Sequence, residues 1–171
     1  MSQVVHKVHG PSGAQLTALA RGLAAQVVKV GIPNNANQPK KYYDDEGREV
    51  ESAELTLVEV ATFNEFGTRD GRVPSRPFMA ISAETGRPLL KKLAGRLWVS
   101  VMRGDRPVGD VLELLGQKHQ SQIQATIAEG VSPENAPFTV ERKGSSRTLI
   151  STGQLRQAIT YAVVPLSEVK R

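Results

Sequence analysis

The segment from residue 135 to residue 164 constrains the fold most, because a polar loop, a helix start and a strand follow one another within it. Its first part is rich in glycine, serine and proline, residues that suit turns and disfavour a regular element. Three cations occupy this part: Arg142, Lys143 and Arg147. We therefore predict a long basic loop over residues 132–148.

A short helix is predicted to follow that loop. Ser151 and Gln154 have the Ser-x-x-Gln spacing of a capping box, in which the serine side chain accepts a hydrogen bond from the helix backbone. Ile150 and Leu155 occupy the positions of the hydrophobic contact that flanks such a box, so Leu155 is expected to point inward. Residues 161–164 favour a strand. The basic loop is thus predicted to be attached to the core by the elements that follow it.

Hydrophobic periodicity predicts most of the remaining elements. Apolar residues recur at helical spacing in three windows, which are residues 12–26, 52–66 and 109–129. A further helix is expected to begin near Thr85 and Pro88 and to end before Gly104. Residues 27–32 are predicted to form a short strand.

These elements predict an α+β protein, with several helices packed on a small, largely antiparallel sheet. The length suits a single domain over residues 1–171. Residues 1–11 are expected to be flexible, and residues 34–50 to form a second long polar loop.

The helix ends and the turn between two of the helices can also be predicted. Ser52 is a candidate cap for the helix over residues 52–66, and Gly67 suits a position with positive φ just beyond it. Gly130 is expected to end the helix over residues 109–129. A basic turn follows Gly67, after which Phe78 is expected to be buried.

The chain carries no pattern that indicates an enzyme, a cofactor or a metal. It contains no cysteine, which excludes disulfides and thiolate ligands. Phosphate-binding loops, dinucleotide fingerprints and the common hydrolase and metalloprotease motifs are absent. No apolar run approaches the roughly 18 residues that indicate a membrane span. His119 lies on an apolar helix stripe, which predicts a hydrogen-bonded core or interface histidine.

Opposite charges occupy neighbouring segments. Eight acidic residues and one basic residue lie between Asp44 and Glu65, whereas eight basic and two acidic residues lie between Arg69 and Arg103. One interpretation is electrostatic complementarity between copies in an assembly, and the other is two ordinary solvated surfaces. The candidate contact residues are Arg69, Arg72, Arg76, Arg142, Lys143 and Arg147 on the basic side and Asp44, Asp45 and Glu46 on the acidic side.

Two sequence blocks resemble one family of phage proteins. The first block runs Phe-Asn-Glu-Phe-Gly-Thr from residue 63 and continues with Pro-Ser-Arg-Pro-Phe-Met from residue 74. The second begins with Asn-Ala-Pro from residue 135 and Arg-Lys-Gly-Ser-Ser from residue 142. It continues with Leu-Ile-Ser-Thr-Gly-Gln-Leu-Arg from residue 149 and exits through Ile-Thr-Tyr. Together they resemble the virion-morphogenesis proteins of tailed phages, the neck or tail-completion group, to which the minor tail protein Z group is related. Their matching residues are Asn64, Glu65, Phe66, Gly67, Pro77, Phe78, Ser151, Gly153, Gln154 and Leu155.

That resemblance implies a structural virion protein. Its copies would form a ring, with a hexamer favoured, between the portal or head-closure protein and the tail terminator or tail tube protein. Genomic DNA would pass through the ring, and no membrane, cofactor or catalysis would be involved. The protein would be located in the host cytoplasm during assembly and then in the virion neck.

Two other classes of function stay open. A nucleic-acid-binding module would use the six basic residues as phosphate contacts. An enzyme would require a cluster of perturbed titratable groups in a cleft.

Overall fold

Two long helices organise the fold in the computed structural model, which describes residues 11–44 and 46–169. Helix α3 (Phe78–Met102) and helix α4 (Val108–Glu129) pack against each other as an antiparallel pair. Helix α4 also packs on a small sheet, so it takes part in both contacts. Its fully buried Ile123 and Ile127 follow the spacing of one helical face.

The other elements are shorter. The remaining helices are α1 (Gly13–Ala24), α2 (Leu57–Phe66), α5 (Pro137–Lys143) and α6 (Gln154–Ala158). The strands are β1 (Gln26–Gly31), β2 (Pro39–Tyr43), β3 (Glu49–Thr56) and β4 (Thr160–Pro165). The fold class is α+β, as the sequence predicts.

The strands form two separate antiparallel pairs. Strand β1 pairs with β4, so that Val27 lies opposite Val164 and Val30 opposite Tyr161. This pair joins the two ends of the described chain and packs on α4. Strand β2 pairs with β3 as a hairpin, with an irregularity between Pro39 and Lys41.

The core lies where α3, α4 and the C-terminal elements meet. Phe78 at the start of α3 is 1% exposed and packs with the buried apolar side chains of α4. The other members of this cluster are Ile123, Ile127, Val131, Leu155 and Ile159. Burial of a side chain of this size stabilises the folded state by about 1.5–3 kcal/mol. The predicted burial of Phe78 and Leu155 is confirmed.

Several local predictions are confirmed as well. Helix α4 ends at Gly130, which has a φ of +85°, and Gly67 follows α2 with a φ of +77°. Strands β1 and β4 lie at the predicted positions. The expected flexibility of residues 1–11 falls almost wholly outside the described part of the chain.

The predicted start of α3 is wrong. The helix begins at Phe78, not near Thr85, and continues through Pro88 in its interior. The backbone N–H groups of Met79 and Ala80 donate to the carboxylate of Glu65, at 2.9 Å each, so the earlier start is stabilised by a tertiary contact. Pro88 lies on the exposed face.

The segment over residues 49–66 corrects another prediction. It is strand β3 followed by helix α2, so the helix does not begin at Ser52. The cap is Thr56, whose hydroxyl accepts from the N–H of Glu59, while the Glu59 carboxylate accepts from the N–H of Thr56 at 2.8 Å. This reciprocal capping box satisfies two donors that the first helical turn would otherwise leave free.

Both predicted long loops contain regular structure. Strand β2 lies inside residues 34–50, and helix α5 lies inside residues 132–148. Strand β2 does not alternate polar and apolar residues, so its local sequence does not predict a strand. It is a strand because it pairs with β3.

His119 also differs from its prediction. Its Nε2 atom is buried and has no hydrogen-bond partner among the described residues. Burial lowers the pKa of His119, because the charged imidazolium would lose solvation there. Ser82 and Gln122 carry the other unpartnered buried side-chain atoms of the described chain, and both lie on the two long helices.

Two helical glycines provide a matched test of packing. A Cβ at Gly116 of α4 would overlap the ring of Tyr161, whereas a Cβ at Gly95 of α3 meets no atom within 4 Å. Alanine favours a helix over glycine by about 0.8–1 kcal/mol at either position. We expect Gly95→Ala to raise the free energy of unfolding and Gly116→Ala to lower it by about 1–3 kcal/mol, because overpacking adds strain. Urea denaturation checks both variants, and equal effects would contradict the packing of β4 on α4.

Candidate functional site

The two sequence blocks converge on one groove of about 490 Å³. One wall is formed by β2, a second by α2 and the turn that leads to α3, and a third by the segment from residue 133 to residue 155. Five of its lining residues are basic and one is acidic, which makes the groove cationic. They are Lys40, Lys41, Arg72, Arg76 and Lys143 on the basic side, and Glu134 on the acidic side.

Arg76 lines this groove and is only 6% exposed. Its Nε donates to the carbonyl oxygen of Pro133 at 2.6 Å, and its Nη2 donates to that of Glu134 at 3.0 Å. The backbone N–H of Arg76 donates to the carbonyl oxygen of Asn64. These bonds connect the first block to the segment that precedes the second. Arg76, predicted as a contact residue, is therefore buried and hydrogen-bonded within its own chain.

The charge on Arg76 has no carboxylate partner among the described residues, and Nη1 makes no hydrogen bond to them. Burial lowers the pKa of the Arg76 guanidinium, yet arginine stays charged in proteins. Buried charges in proteins are usually paired, because an ion removed from water loses most of its solvation. The groove thus holds a cation that carbonyl dipoles solvate only in part.

Lys143 of α5 brings a second cation to the same groove. Its ammonium donates to the carbonyl oxygen of Arg147 at 3.0 Å, and the side chain is half-buried. Burial lowers the pKa of Lys143, and repulsion from Arg76 and then Lys40 lowers it further. These cations are therefore close enough to repel one another.

The remaining basic lining residues are already paired. Lys41 contacts Glu49 at 3.0 Å and Glu51 at 3.8 Å across the β2–β3 hairpin. Arg72 contacts Asp70 at 3.2 Å, and both side chains are largely exposed. Such exposed pairs contribute little to stability, because water screens the two charges.

The first block shapes the groove through the turn after α2. A Cβ at Gly67 would lie 3.0 Å from the backbone nitrogen of Ser75, so the positive φ and the close approach both require glycine. The Ser75 hydroxyl donates to the carbonyl oxygen of Glu65 at 2.8 Å. The turn is thereby folded back on the end of α2, and Arg76 and Phe78, which follow the turn, are buried.

The second block closes the opposite wall and corrects the predicted capping box. Helix α6 starts at Gln154 with Gly153 as its N-cap, at a φ of +80°, and Ser151 makes no capping hydrogen bond. The Gln154 side chain instead binds strand β2. It accepts from the N–H of Lys41 at 2.8 Å and donates to the carbonyl oxygen of Pro39 at 2.9 Å. Gln154 therefore substitutes for a neighbouring strand.

Two polar side chains hold the third wall in place. Thr148 is buried, and its hydroxyl accepts from the N–H of Val131 at 2.9 Å. The amide of Asn135 donates to the carbonyl oxygens of Ser146 and Arg147, at 3.2 and 3.0 Å. The segment over residues 132–148 is thus tied together internally, and it is not a free loop.

The structure separates the other predicted contact residues. Arg69 and Arg147 are exposed and lie outside the groove lining, and nothing is described of the Arg142 side chain, although its backbone belongs to α5. Asp45 lies outside the described residues. Asp44 and Glu46 both bind Arg48, at 2.9 and 2.8 Å, in the turn that joins β2 and β3.

Phe66 does not act as an internal anchor. It is 77% exposed and lies beside a second groove of about 310 Å³ with a largely apolar lining. That groove lies between α2, the end of β1 and the start of α3. Its lining includes Ile32, Val58, Ala61, Phe66 and Met79. Exposed apolar surfaces of this kind often mark protein contacts.

The side chains that line the first groove and carry a charge are mostly cationic, which suits an anion. Within residues 11–44 and 46–169, no three histidine or acidic side chains are grouped to hold a metal ion. No helix in the described ranges is long and apolar enough to cross a membrane. The chain matches no protein-family model, no curated protein and no solved structure.

Arg76 is expected to be essential for stability, unlike its exposed neighbour Arg69. Arg76→Ala removes two charge-assisted hydrogen bonds and leaves two carbonyl groups without that donor, so we expect a loss of about 2–4 kcal/mol. Arg69→Ala should change stability by less than about 0.5 kcal/mol. Urea denaturation of the two variants measures this difference, and similar losses would contradict the burial of Arg76.

The two candidate capping boxes give a second matched pair. Thr56→Ala removes an observed cap and should lower the free energy of unfolding by about 1 kcal/mol. Ser151→Ala should have almost no effect, because Ser151 is exposed and caps no helix. Thermal denaturation checks both, and a large loss from Ser151→Ala would indicate that the sequence pattern was correct after all.

Proposed function

We propose that the chain is a structural subunit of the neck of a tailed-phage virion. Copies would form a ring that joins the DNA-filled head to the tail and completes the channel for DNA. The observation that carries this proposal is that the two blocks that resemble the neck and tail-completion proteins line one groove. Arg76 of the first block reaches the carbonyl groups beside the second, and both blocks line one groove. The residues that carry the resemblance thus lie around the same groove.

The surface supports an assembling protein. Phe66 is 77% exposed beside an apolar groove, and Phe63 and Val58 on the same helix are also exposed. Large exposed side chains grouped in this way are typical of surfaces that another protein covers. In the proposed ring, each copy would present two different surfaces to its two neighbours, because head-to-tail contacts close into a ring.

A nucleic-acid-binding module is the second candidate, and one observation favours it. The exposed face of α3 carries four cations that form no ion pair with the described residues: Arg87, Lys91, Lys92 and Arg96. A row of unpaired cations on one helix suits phosphate contacts. In the neck proposal the same face of α3 would be directed toward the DNA channel. The two candidate functions therefore differ in whether copies of the chain assemble into a ring.

Loss of this protein is expected to separate heads from tails. Deleting its gene from a phage genome that carries it should leave DNA-filled or leaking heads and complete, unattached tails in electron micrographs. Supplying the chain from a plasmid should restore joined particles.

Normally joined particles without the gene would contradict the neck proposal, and missing or wrongly sized tails would favour a place in tail-tube assembly. Tight, steeply salt-dependent binding of the isolated chain to random-sequence duplex DNA, without self-association, would favour the nucleic-acid candidate instead.

A further inference from the structure

We propose that the cationic groove is the receptor for an acidic turn of a neighbouring copy, the turn over residues 44–48 between β2 and β3. The inference rests on the proposed ring and adds the surfaces through which its subunits meet. Arg76 is the starting point, because it is 6% exposed and carries a charge without a carboxylate partner in the described chain. A buried cation of this kind requires an anion more than any exposed residue does.

The groove is preorganised to accept an oxyanion. The Nε and Nη2 atoms of Arg76 are fixed by two carbonyl oxygens, so its remaining nitrogen, Nη1, has a defined position. Lys143 lies near enough that its pKa falls through repulsion by Arg76. A carboxylate between the two cations would remove that repulsion and would accept hydrogen bonds from both groups.

The same chain carries an acidic element of suitable shape. The β2–β3 hairpin displays Glu49, Glu51 and Glu54 as exposed residues, and Asp44 and Glu46 lie in its turn. Arg48 is the only basic residue between Asp44 and Glu54, so the hairpin end stays strongly negative. None of the described turn residues lines the groove of its own chain. The turn therefore does not fill the groove of its own chain, and its described carboxylates are ion-paired only with Arg48 of the same turn.

Shape favours a protein turn over duplex DNA. The cation that most needs a partner lies at a buried position within a concave site of about 490 Å³. A narrow turn can enter such a site, whereas the phosphates of a duplex lie on the outside of a rigid cylinder. The exposed cations of α3 present a more accessible surface to a duplex.

The chain contains no cysteine, which allows a clean cross-linking test. Thr139→Cys places a thiol in the groove one helical turn before Lys143 and leaves every groove cation in place. Arg48→Cys places a thiol in the turn and keeps every carboxylate. The two single variants are mixed as full-length proteins, one with a tag that shifts its gel mobility, and oxidised with diamide. A mixed disulfide can then form only between different chains.

We expect the Thr139→Cys and Arg48→Cys chains to give a yield of mixed disulfide at least roughly tenfold higher than a control pair. In the control pair, Arg106→Cys replaces Thr139→Cys. Arg106 is exposed and lies outside the groove. Adding Lys143→Glu to the Thr139→Cys chain should reduce the yield to that of the control pair. Replacing Glu46 and Glu51 with lysine in the Arg48→Cys chain should then restore part of it. Melting temperatures confirm that each variant is folded.

Native mass spectrometry of the unmodified chain distinguishes this inference from the proposed function. Rings without the specific disulfide would overturn the inference and leave the neck proposal intact. A chain that neither associates nor cross-links would also overturn it, while the gene deletion still decides the neck role. If a single-stranded or duplex oligonucleotide abolished the cross-link while rings persisted, the groove would be assigned to nucleic acid and the inference would be wrong.

Discussion

The hydrogen bonds of Arg76 are the interaction on which the rest of the site depends. They join positions 57 and 58 residues apart, and the backbone of Arg76 is bound to the end of α2 as well. One side chain therefore sets the distance between the α2–α3 turn and the segment that leads to α5. Charged donors to carbonyl oxygens are among the stronger hydrogen bonds in proteins. These bonds compensate part of the solvation that the Arg76 guanidinium loses on burial. An anion bound in the groove would compensate the remainder.

A second constraint fixes the direction in which α3 leaves that turn. Glu65, at the end of α2, accepts from the first N–H groups of α3, and the negative charge is favourable at the positive end of the helix dipole. Phe78 then fills the core beneath the same turn. Because α3 packs along α4, and α4 supports the β1–β4 pair, the orientation set at Glu65 extends through the scaffold. One wall of the groove is thus attached to the core through Phe78.

Elements that a strong local pattern specifies could be predicted from the sequence. Helix α4 has a long apolar stripe and a terminal glycine, and β1 and β4 are short apolar runs, so each was found near its true position. Gly67 was predicted correctly because a glycine after a helix commonly takes a positive φ.

Predictions that depended on choosing between similar local patterns failed. Ser52, Thr56 and Ser151 all precede a plausible first turn, yet only Thr56 has its partner glutamate at the right place in a helix. Ser151 does not cap α6. Gln154, its partner in the predicted capping box, instead binds the edge of β2, more than a hundred residues away. The pairing of β2 with β3 and the burial of Arg76 are also tertiary outcomes. A sequence of arginine, proline and phenylalanine gives no sign that the guanidinium faces inward.

The placement of charge has a consequence for assembly. An isolated subunit carries two complementary charged features. One is the groove, in which Arg76 and Lys143 repel each other, and the other is the acidic turn. Docking would place a carboxylate beside Arg76, which has no carboxylate partner among the described residues of its own chain. Because the turn and the groove lie on different parts of the same subunit, the contact is head-to-tail and each new copy offers a fresh groove. Addition would then continue until the last turn meets the first groove. Opposite charge on the turn and the groove would favour this pairing over one that sets two acidic turns or two cationic grooves against each other.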